Sequence, residues 1–277
     1  MVKKTSQGLP YFTYPLLNNY PDLVHFTTTR HGGFSNGEYG GLNVSFAVGE
    51  DSTLVAQNRH LIADAFALDS HQLLFGRQIH ESNIRVIRQD FFEKSPEERY
   101  EQLTAIDSLI TNLKNVCLCI LTADCAGILL YDPKQAVISV IHAGWRGTVK
   151  KIATNVINKM RQEFDCRPAD ILAVIGPCIG LESYEVGDEV AKKFVEVFGE
   201  NHAIIDRTYS KPHVAVAAAN HRLLMDSGLS PENIALSGVC TFRNNDRFYS
   251  ARQGDRGRFC SGISMRGISN SAGNGNG

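Results

Sequence analysis

Residues 121–147 read LTADCAGILLYDPKQAVISVIHAGWRG. Two apolar runs inside this stretch, 128–131 and 137–141, have the length and composition of buried strands. A third run, 116–121, leads into it, and Asp132-Pro133 marks a turn between the last two. Cys125 falls just past the end of one run and His142 at the end of another. Each is followed by a turn that starts with small residues. A thiol and an imidazole on neighbouring strand ends can share one point in space. That arrangement suits either a bound metal ion or an activated nucleophile.

Outward from this centre the chain mixes strands and helices without regular βαβ alternation. Thr148 is expected to cap a helix running to about Phe164. Residues 171–175 read as a further buried strand ended by Gly176-Pro177, residues 187–198 and 214–225 as helices, and residues 248–252 and 259–265 as closing strands. Toward the N-terminus, residues 24–28 form an expected strand that enters the glycine-rich loop Arg30-His31-Gly32-Gly33, and residues 43–48 alternate like a second strand. Asp51 then opens a helix with Leu54, Val55, Leu61, Ile62, Ala65 and Phe66 on one face. Short strands are expected at 73–75 and 84–87, and the polar segment 89–102 reads as a surface excursion. There is no internal repeat and no linker. The order predicts one α+β domain with mixed sheets over residues 1–267, followed by a flexible Ser/Asn/Gly tail over 268–277.

Bulk properties narrow the function. The chain has 277 residues, a formal net charge of -1 and 43% hydrophobic residues, so it carries no electrostatic footprint for nucleic acid or an anionic membrane. A small-molecule substrate is expected, and no protein partner. Lys3 and Lys4 are followed by no apolar export segment, and no apolar run approaches the ~18 residues of a membrane span. The 7 cysteines, odd in number and scattered, read as reduced thiols in a cytoplasm. Cys117 and Cys119 share one strand face and read as small core hydrophobes; Cys166, Cys178, Cys240 and Cys260 have no partner spacing.

His80, Cys125 and His142 are the candidate ligands. Their spacing is too wide for a zinc finger or ribbon, but each sits at or after a strand end. Three such ligands with a fourth position open make a catalytic zinc site. Spacing alone leaves open a core thiol with two structural histidines. It also leaves a nucleophilic Cys125–His142 pair with Asp107 or Asp124, although this would leave His80 idle. The 9 histidines include no His-x-His pair, which argues against a three- or four-copper cluster, while a single copper in a His2Cys site remains compatible. Arg30 beside the glycine-rich loop, Arg59 on the first helix and Arg146 after His142 are candidates for an anion site. The loop matches neither a P-loop nor a dinucleotide fingerprint. Trp145, the sole tryptophan, reads as an aromatic wall or a core filler.

The same residues carry a resemblance. The motifs Thr29-Arg30-His31-Gly32-Gly33, Leu42-Asn43-Val44-Ser45, Asn58-Arg59, Gln78-Ile79-His80, Ala105-Ile106-Asp107-Ser108-Leu109, Thr122-Ala123-Asp124-Cys125 and His142-Ala143-Gly144-Trp145-Arg146-Gly147 occur in order. They are followed by Ile175-Gly176-Pro177-Cys178-Ile179-Gly180, Tyr184-Glu185-Val186-Gly187, Cys240-Thr241, Phe248-Tyr249-Ser250-Ala251-Arg252 and Gly257-Arg258. Together they resemble the YfiH-like, or laccase-domain, family of multicopper polyphenol oxidases and purine nucleoside phosphorylases. The resemblance implies a mixed β-sandwich flanked by helices, in α/β/β/α layers. It implies zinc on His80, Cys125 and His142, phosphorolysis of adenosine, inosine and methylthioadenosine, and deamination of adenosine. It also carries two alternatives, a copper-dependent phenol oxidase on the same ligands and a non-catalytic or cell-wall-editing metal-binding protein. Within the nucleoside reading, Asp124 is the candidate proton shuttle. Asn43 is a candidate nucleoside contact, and Arg30, Arg59 and Arg146 are candidates for phosphate. The chain departs from the family at Ala126-Gly127, Ala215-Val216 and Gln253, none of which is a ligand.

Overall fold

The cysteine-to-histidine stretch lies where two sheets are stitched together. In the structure, a computed structural model that describes residues 1–267, one six-stranded sheet has the spatial order Val2–Ser6, Leu9–Thr13, Leu23–Thr28, Phe259–Met265, Cys117–Thr122, Leu73–Phe75. The other runs Ile234–Leu236, Leu172–Ile175, Ala126–Asp132, Val137–Ala143, Ser108–Thr111, Ile84–Ile87. Both sheets are mixed, with a parallel pair at one or both edges of otherwise antiparallel ladders. The tail expected over 268–277 lies outside the described residues.

Strand periodicity explains the layering. In Cys117–Thr122, Leu118 and Ile120 point into the space between the sheets, where they meet Leu109, Leu129 and Val140 of the other sheet. Cys117 and Cys119 alternate to the outer face and pack with Cys260, Phe26 and Phe75 beneath the helix Ser52–Phe66. Asp51 caps that helix by accepting from the Thr53 N–H at 2.8 Å. The second sheet is covered by the helices Ile152–Phe164, Asp188–Phe198 and Val216–Asp226, whose Val156, Met160, Phe194 and Leu223 join Ile128, Leu130 and Ile141 in one core. Each fully buried aliphatic chain of this kind contributes roughly 1.5–3 kcal/mol. The result is an α+β sandwich with helices on both outer faces, as expected. Among the described residues no helix is long and apolar enough to cross a membrane.

Several segments differ from the sequence reading for local reasons. Residues 43–48 form no strand, because Asn43 Oδ1 accepts from the Ser45 N–H and Ser45 Oγ from the Ala47 N–H, which starts the short turn Phe46–Val48. The helix expected from Thr148 is two helices, Trp145–Val149 and Ile152–Phe164, separated by Lys151 in the left-handed region (φ 57°). Thr148 donates back to the Gly144 carbonyl and accepts from Asn220, so it ties helices together and caps none. Residues 248–252 are irregular, since the Ser250 and Arg252 N–H groups go to side-chain carboxylates. The excursion 89–102 contains the helix Pro96–Gln102, started by a reciprocal Ser95–Glu98 capping box. The N-terminal hairpin Val2–Ser6 with Leu9–Thr13 forms a sheet edge whose apolar pattern is too weak to predict it from sequence.

Candidate metal centre

The strand Cys117–Thr122 belongs to one sheet and Ala126–Asp132 to the other, so residues 123–125 cross between them. Asp124 makes the turn at φ 87°, and Cys125 follows on the crossing. His142 lies in Val137–Ala143, opposite Gly127. His80 sits in the loop after Leu73–Phe75 with φ 63°. Gln78 clamps that loop: its amide donates to the Leu121 carbonyl and accepts from the Leu121 N–H, both at 2.8 Å. The three ligand atoms lie within 4.8 Å of one another. Among the described residues this is the one group of His, Cys, Asp and Glu side chains close enough to share an ion.

Asp107 orients two of the three. Its fully buried carboxylate accepts from His142 Nδ1–H at 2.8 Å, which fixes the tautomer and leaves Nε2 for an ion. The same carboxylate accepts from the backbone N–H groups of Ile79, His80 and Glu81 at 3.3, 3.0 and 3.0 Å, closing the His80 turn around it. Burial opposes its charge, but the bonds from His142 and the turn hold it below the usual carboxylate range.

The chemistry of the donors fits a divalent metal. Burial by itself would raise the Cys125 thiol, yet His142 and His80 outweigh it and bring it down to about 6. Burial would lower His142, and the Cys125 thiolate and Asp107 raise it to about 9. The pair is thus built to carry a thiolate, the ligating form of cysteine. Gly144 supplies room: a Cβ there would lie 3.0 Å from Cys125 Sγ, 3.3 Å from His80 Cδ2 and 3.9 Å from His142 Cε1. A His2Cys set with one side open to the surface through exposed His80 suits zinc, and it also suits copper.

The other expected residues have particular surroundings. Asp124 is buried, and its carboxylate accepts from Thr241 Oγ1–H (2.6 Å), Ser250 Oγ–H (3.0 Å) and the Arg252 N–H (2.7 Å). Asn43 is fully buried; its amide donates to Glu50 and the Ser45 carbonyl and accepts from the Ser45 and Arg258 N–H groups. Arg30 is bound bidentately to Asp255, donates to the Asn245 carbonyl and lies over the Tyr249 ring. The Arg59 guanidinium is held between the Phe46 and Phe75 rings, with its Nε–H on the Val44 carbonyl. Arg146 is exposed beside Trp145, its guanidinium 4.3 Å from the ring centroid.

Three more groups stand near this crossing: Tyr184 and Arg258 within charge range of Cys125, and Arg252 tied to Asp124. Burial, then the Cys125 charge, pushes the Tyr184 phenol up to about 12, so it stays a donor. Arg252 lies over the Tyr184 ring and donates to the Glu185 carbonyl. Arg258, depressed by burial, lies within charge range of Cys125 and Asp124. All three lie inside the ordered sequence motifs, which assign them no role. Nothing in the spacing of residues 184, 252 and 258 links them to Cys125.

Comparison with known proteins follows the same lines. Residues 24–266 match the family described as "Multi-copper polyphenol oxidoreductase laccase". A purine nucleoside phosphorylase of Bacteroides thetaiotaomicron is 37% identical over 254 residues, covering 90% of this chain and 94% of the relative. A protein named adenosine deaminase RL5, from an unknown prokaryotic organism, is 33% identical and covers 82% of this chain and 87% of its own. The crystal structure of YlmD from Geobacillus stearothermophilus superposes with a TM-score of 0.85 at 27% identity, covering 95% of this chain and 98% of that one. The ordered motifs, the helix-flanked sandwich and these matches agree: the chain belongs to the multi-copper polyphenol oxidoreductase laccase family.

Proposed function

We propose that this protein is a purine nucleoside phosphorylase that also deaminates adenosine, working with one zinc ion held by His80, Cys125 and His142. The observation that carries the reading is the His80-Cys125-His142 group, the one such group among the described residues, oriented by Asp107 and reaching the surface through exposed His80, in a chain whose relatives are named as enzymes of purine nucleosides. Bound zinc supplies a Lewis acid for activating water or polarising a substrate oxygen.

Phosphorolysis forms a bond from a phosphate oxygen to C1′ of the ribose and breaks the C1′–N9 bond. The electron pair leaves with the purine, which takes up a proton. Deamination adds water at C6 and releases ammonia. The chain's own contribution is binding and charge. Two arginines with no carboxylate partner among the described residues, Arg258 within charge range of Cys125 and Arg146 on the helix after His142, suit phosphate. Tyr184 offers a protonated hydroxyl, and Trp145 an aromatic face. Arg30 and Asn43 act from behind, Arg30 by holding Asp255 and Asn43 by holding the Arg258 backbone.

The test is incubation of zinc-replete protein with inosine, with and without phosphate, and with adenosine alone. The expected products are hypoxanthine and ribose 1-phosphate only when phosphate is present, and ammonia from adenosine. A second reading, a copper-dependent phenol oxidase, is favoured by the same His2Cys donor set. A copper-loaded form that oxidises phenols, with a zinc form inert toward nucleosides, would overturn the first reading in its favour.

A further inference from the structure

We infer that Asp124 is a positioning residue that holds Arg252 as one of the phosphate-binding arginines, so that phosphorolysis and deamination respond separately to this pair. The inference rests on the nucleoside reading above and deepens it.

Asp124 has no free oxygen to offer as a proton carrier. One oxygen takes the Thr241 hydroxyl; the other takes the Ser250 hydroxyl and the Arg252 N–H. Its main-chain carbonyl accepts from the Ile179 N–H at 2.9 Å. The residue before the metal-ligating cysteine therefore fastens two distant segments, 178–180 and 241–252, to the sheet crossing. A carboxylate with three donors is rigid, and the strongest of these bonds are charge-assisted.

Arg252 is held from both ends. Its backbone is tied to Asp124, and one Nη–H donates to the Glu185 carbonyl at 3.0 Å. Its guanidinium lies 5.2 Å from the centroid of Tyr184, the phenol that senses the Cys125 charge. Among the described residues it has no carboxylate partner, a state it shares with Arg146 and Arg258, whereas Arg30, Arg243 and Arg256 are paired with Asp255, Glu182 and Glu38; of these three unpaired arginines it is the one whose backbone is fastened to Asp124. A guanidinium has five N–H donors, so Arg252 keeps most of its fork free over Tyr184, on a segment tied to the residue before the ligand cysteine. A pre-oriented, unpaired fork is suited to bidentate recognition of phosphate.

The experiment compares phosphate KM for inosine phosphorolysis with phosphate-free adenosine deamination. Arg252→Gln and Asp124→Asn are expected to raise the phosphate KM by about tenfold or more, since displacement of a positioned group by an ångström costs up to about 100-fold. Deamination kcat/KM is expected to fall by less than about threefold, with zinc still bound at one ion per chain. Thr241→Val should shift the phosphate KM in the same direction, and Thr241→Ser, which keeps the hydroxyl, should restore it. The double variant Asp124→Asn/Arg252→Gln should be no worse than Arg252→Gln alone, because the two act as one unit. If Asp124→Asn fails to fold, Arg252→Gln at its exposed position and Thr241→Val carry the test. Equal losses in both activities, an unchanged phosphate KM or an additive double variant would each overturn the inference while leaving the nucleoside reading intact. Wild-type protein inert toward both nucleosides would overturn that reading and this inference together.

Discussion

Gly144→Ala separates the metal centre from the fold. The glycine has φ -72° and ψ 175°, a conformation open to alanine, so the backbone itself accepts the change. The new methyl would lie 3.0 Å from Cys125 Sγ and 3.3 Å from His80 Cδ2. Optimal non-bonded separation is about 3.5–4.0 Å, so both ligands must retreat by several tenths of an ångström. Metal–ligand distances tolerate only about 0.2 Å. Overpacking of this size costs about 1–3 kcal/mol; the Cys125 and His80 side chains can turn away from the methyl when no ion holds them but not when both are bound to one, so the cost corresponds to roughly a 5- to 150-fold loss of zinc affinity. The assay is competition for zinc against a chromophoric chelator, alongside thermal unfolding of the metal-free proteins. The metal-free variant should melt close to wild type, with a small gain from alanine's lower unfolded-state entropy. Wild-type zinc affinity in Gly144→Ala would refute the placement of the ion beside Gly144. Collapse of the metal-free variant would show that the glycine serves the fold instead.

Further outcomes follow from the same geometry. Asp107→Asn should weaken zinc binding about 10- to 100-fold, because an amide cannot accept all four N–H groups that the carboxylate now holds; an affinity within about twofold of wild type, read by chelator competition, would contradict its orienting role. In the metal-free protein His142 keeps its proton up to about 9 while Cys125 loses its own near about 6. Zinc must displace that one proton between these values, so affinity should fall about tenfold per pH unit from pH 9 to 6 and more steeply below. Calorimetry in buffers of different ionisation enthalpy should find about one proton released per ion near neutrality. Gln78→Ala removes both bonds to Leu121 and should loosen the His80 loop by about 1–2 kcal/mol. Faster amide exchange at 77–82 together with a several-fold weaker zinc affinity is expected, and unchanged exchange would mean that Asp107 alone anchors the loop.

The elements that could be read from sequence are those whose signal is local. The strands Leu73–Phe75, Ile84–Ile87 and Phe259–Met265 stand where their short apolar runs predict, because each is buried on at least part of its length and bounded by turn residues. The segments 43–48 and 248–252 were misread as strands for one shared reason. Their polar backbone groups are claimed by side chains, Asn43 and Ser45 in one case, Asp124 and Asp255 in the other. An apolar pattern carries no record of such competition.

At the candidate site the division is similar. Residue types and strand ends were enough to nominate His80, Cys125 and His142, since few side chains ligate metals, although His80 lies in a loop that Gln78 and Asp107 hold in place. The ordered motifs determined the family. What only the tertiary structure decided is which polar groups are already engaged. Arg30, Asn43 and Asp124 look like free functional groups in sequence, yet each is bound to a partner far along the chain, at separations of 225, 215 and 128 residues. Asp107 reaches both histidine segments across 27 and 35 residues, which turns a possible triad member into the orienting carboxylate. Arg252 and Arg258 come to the sheet crossing, one onto Asp124 and the other within charge range of Cys125, because the last strand, Phe259–Met265, pairs with Cys117–Thr122 and brings the preceding loop there. Hydrogen-bond satisfaction is a property of folded neighbours, so a sequence can list donors and acceptors but cannot show which of them remain available.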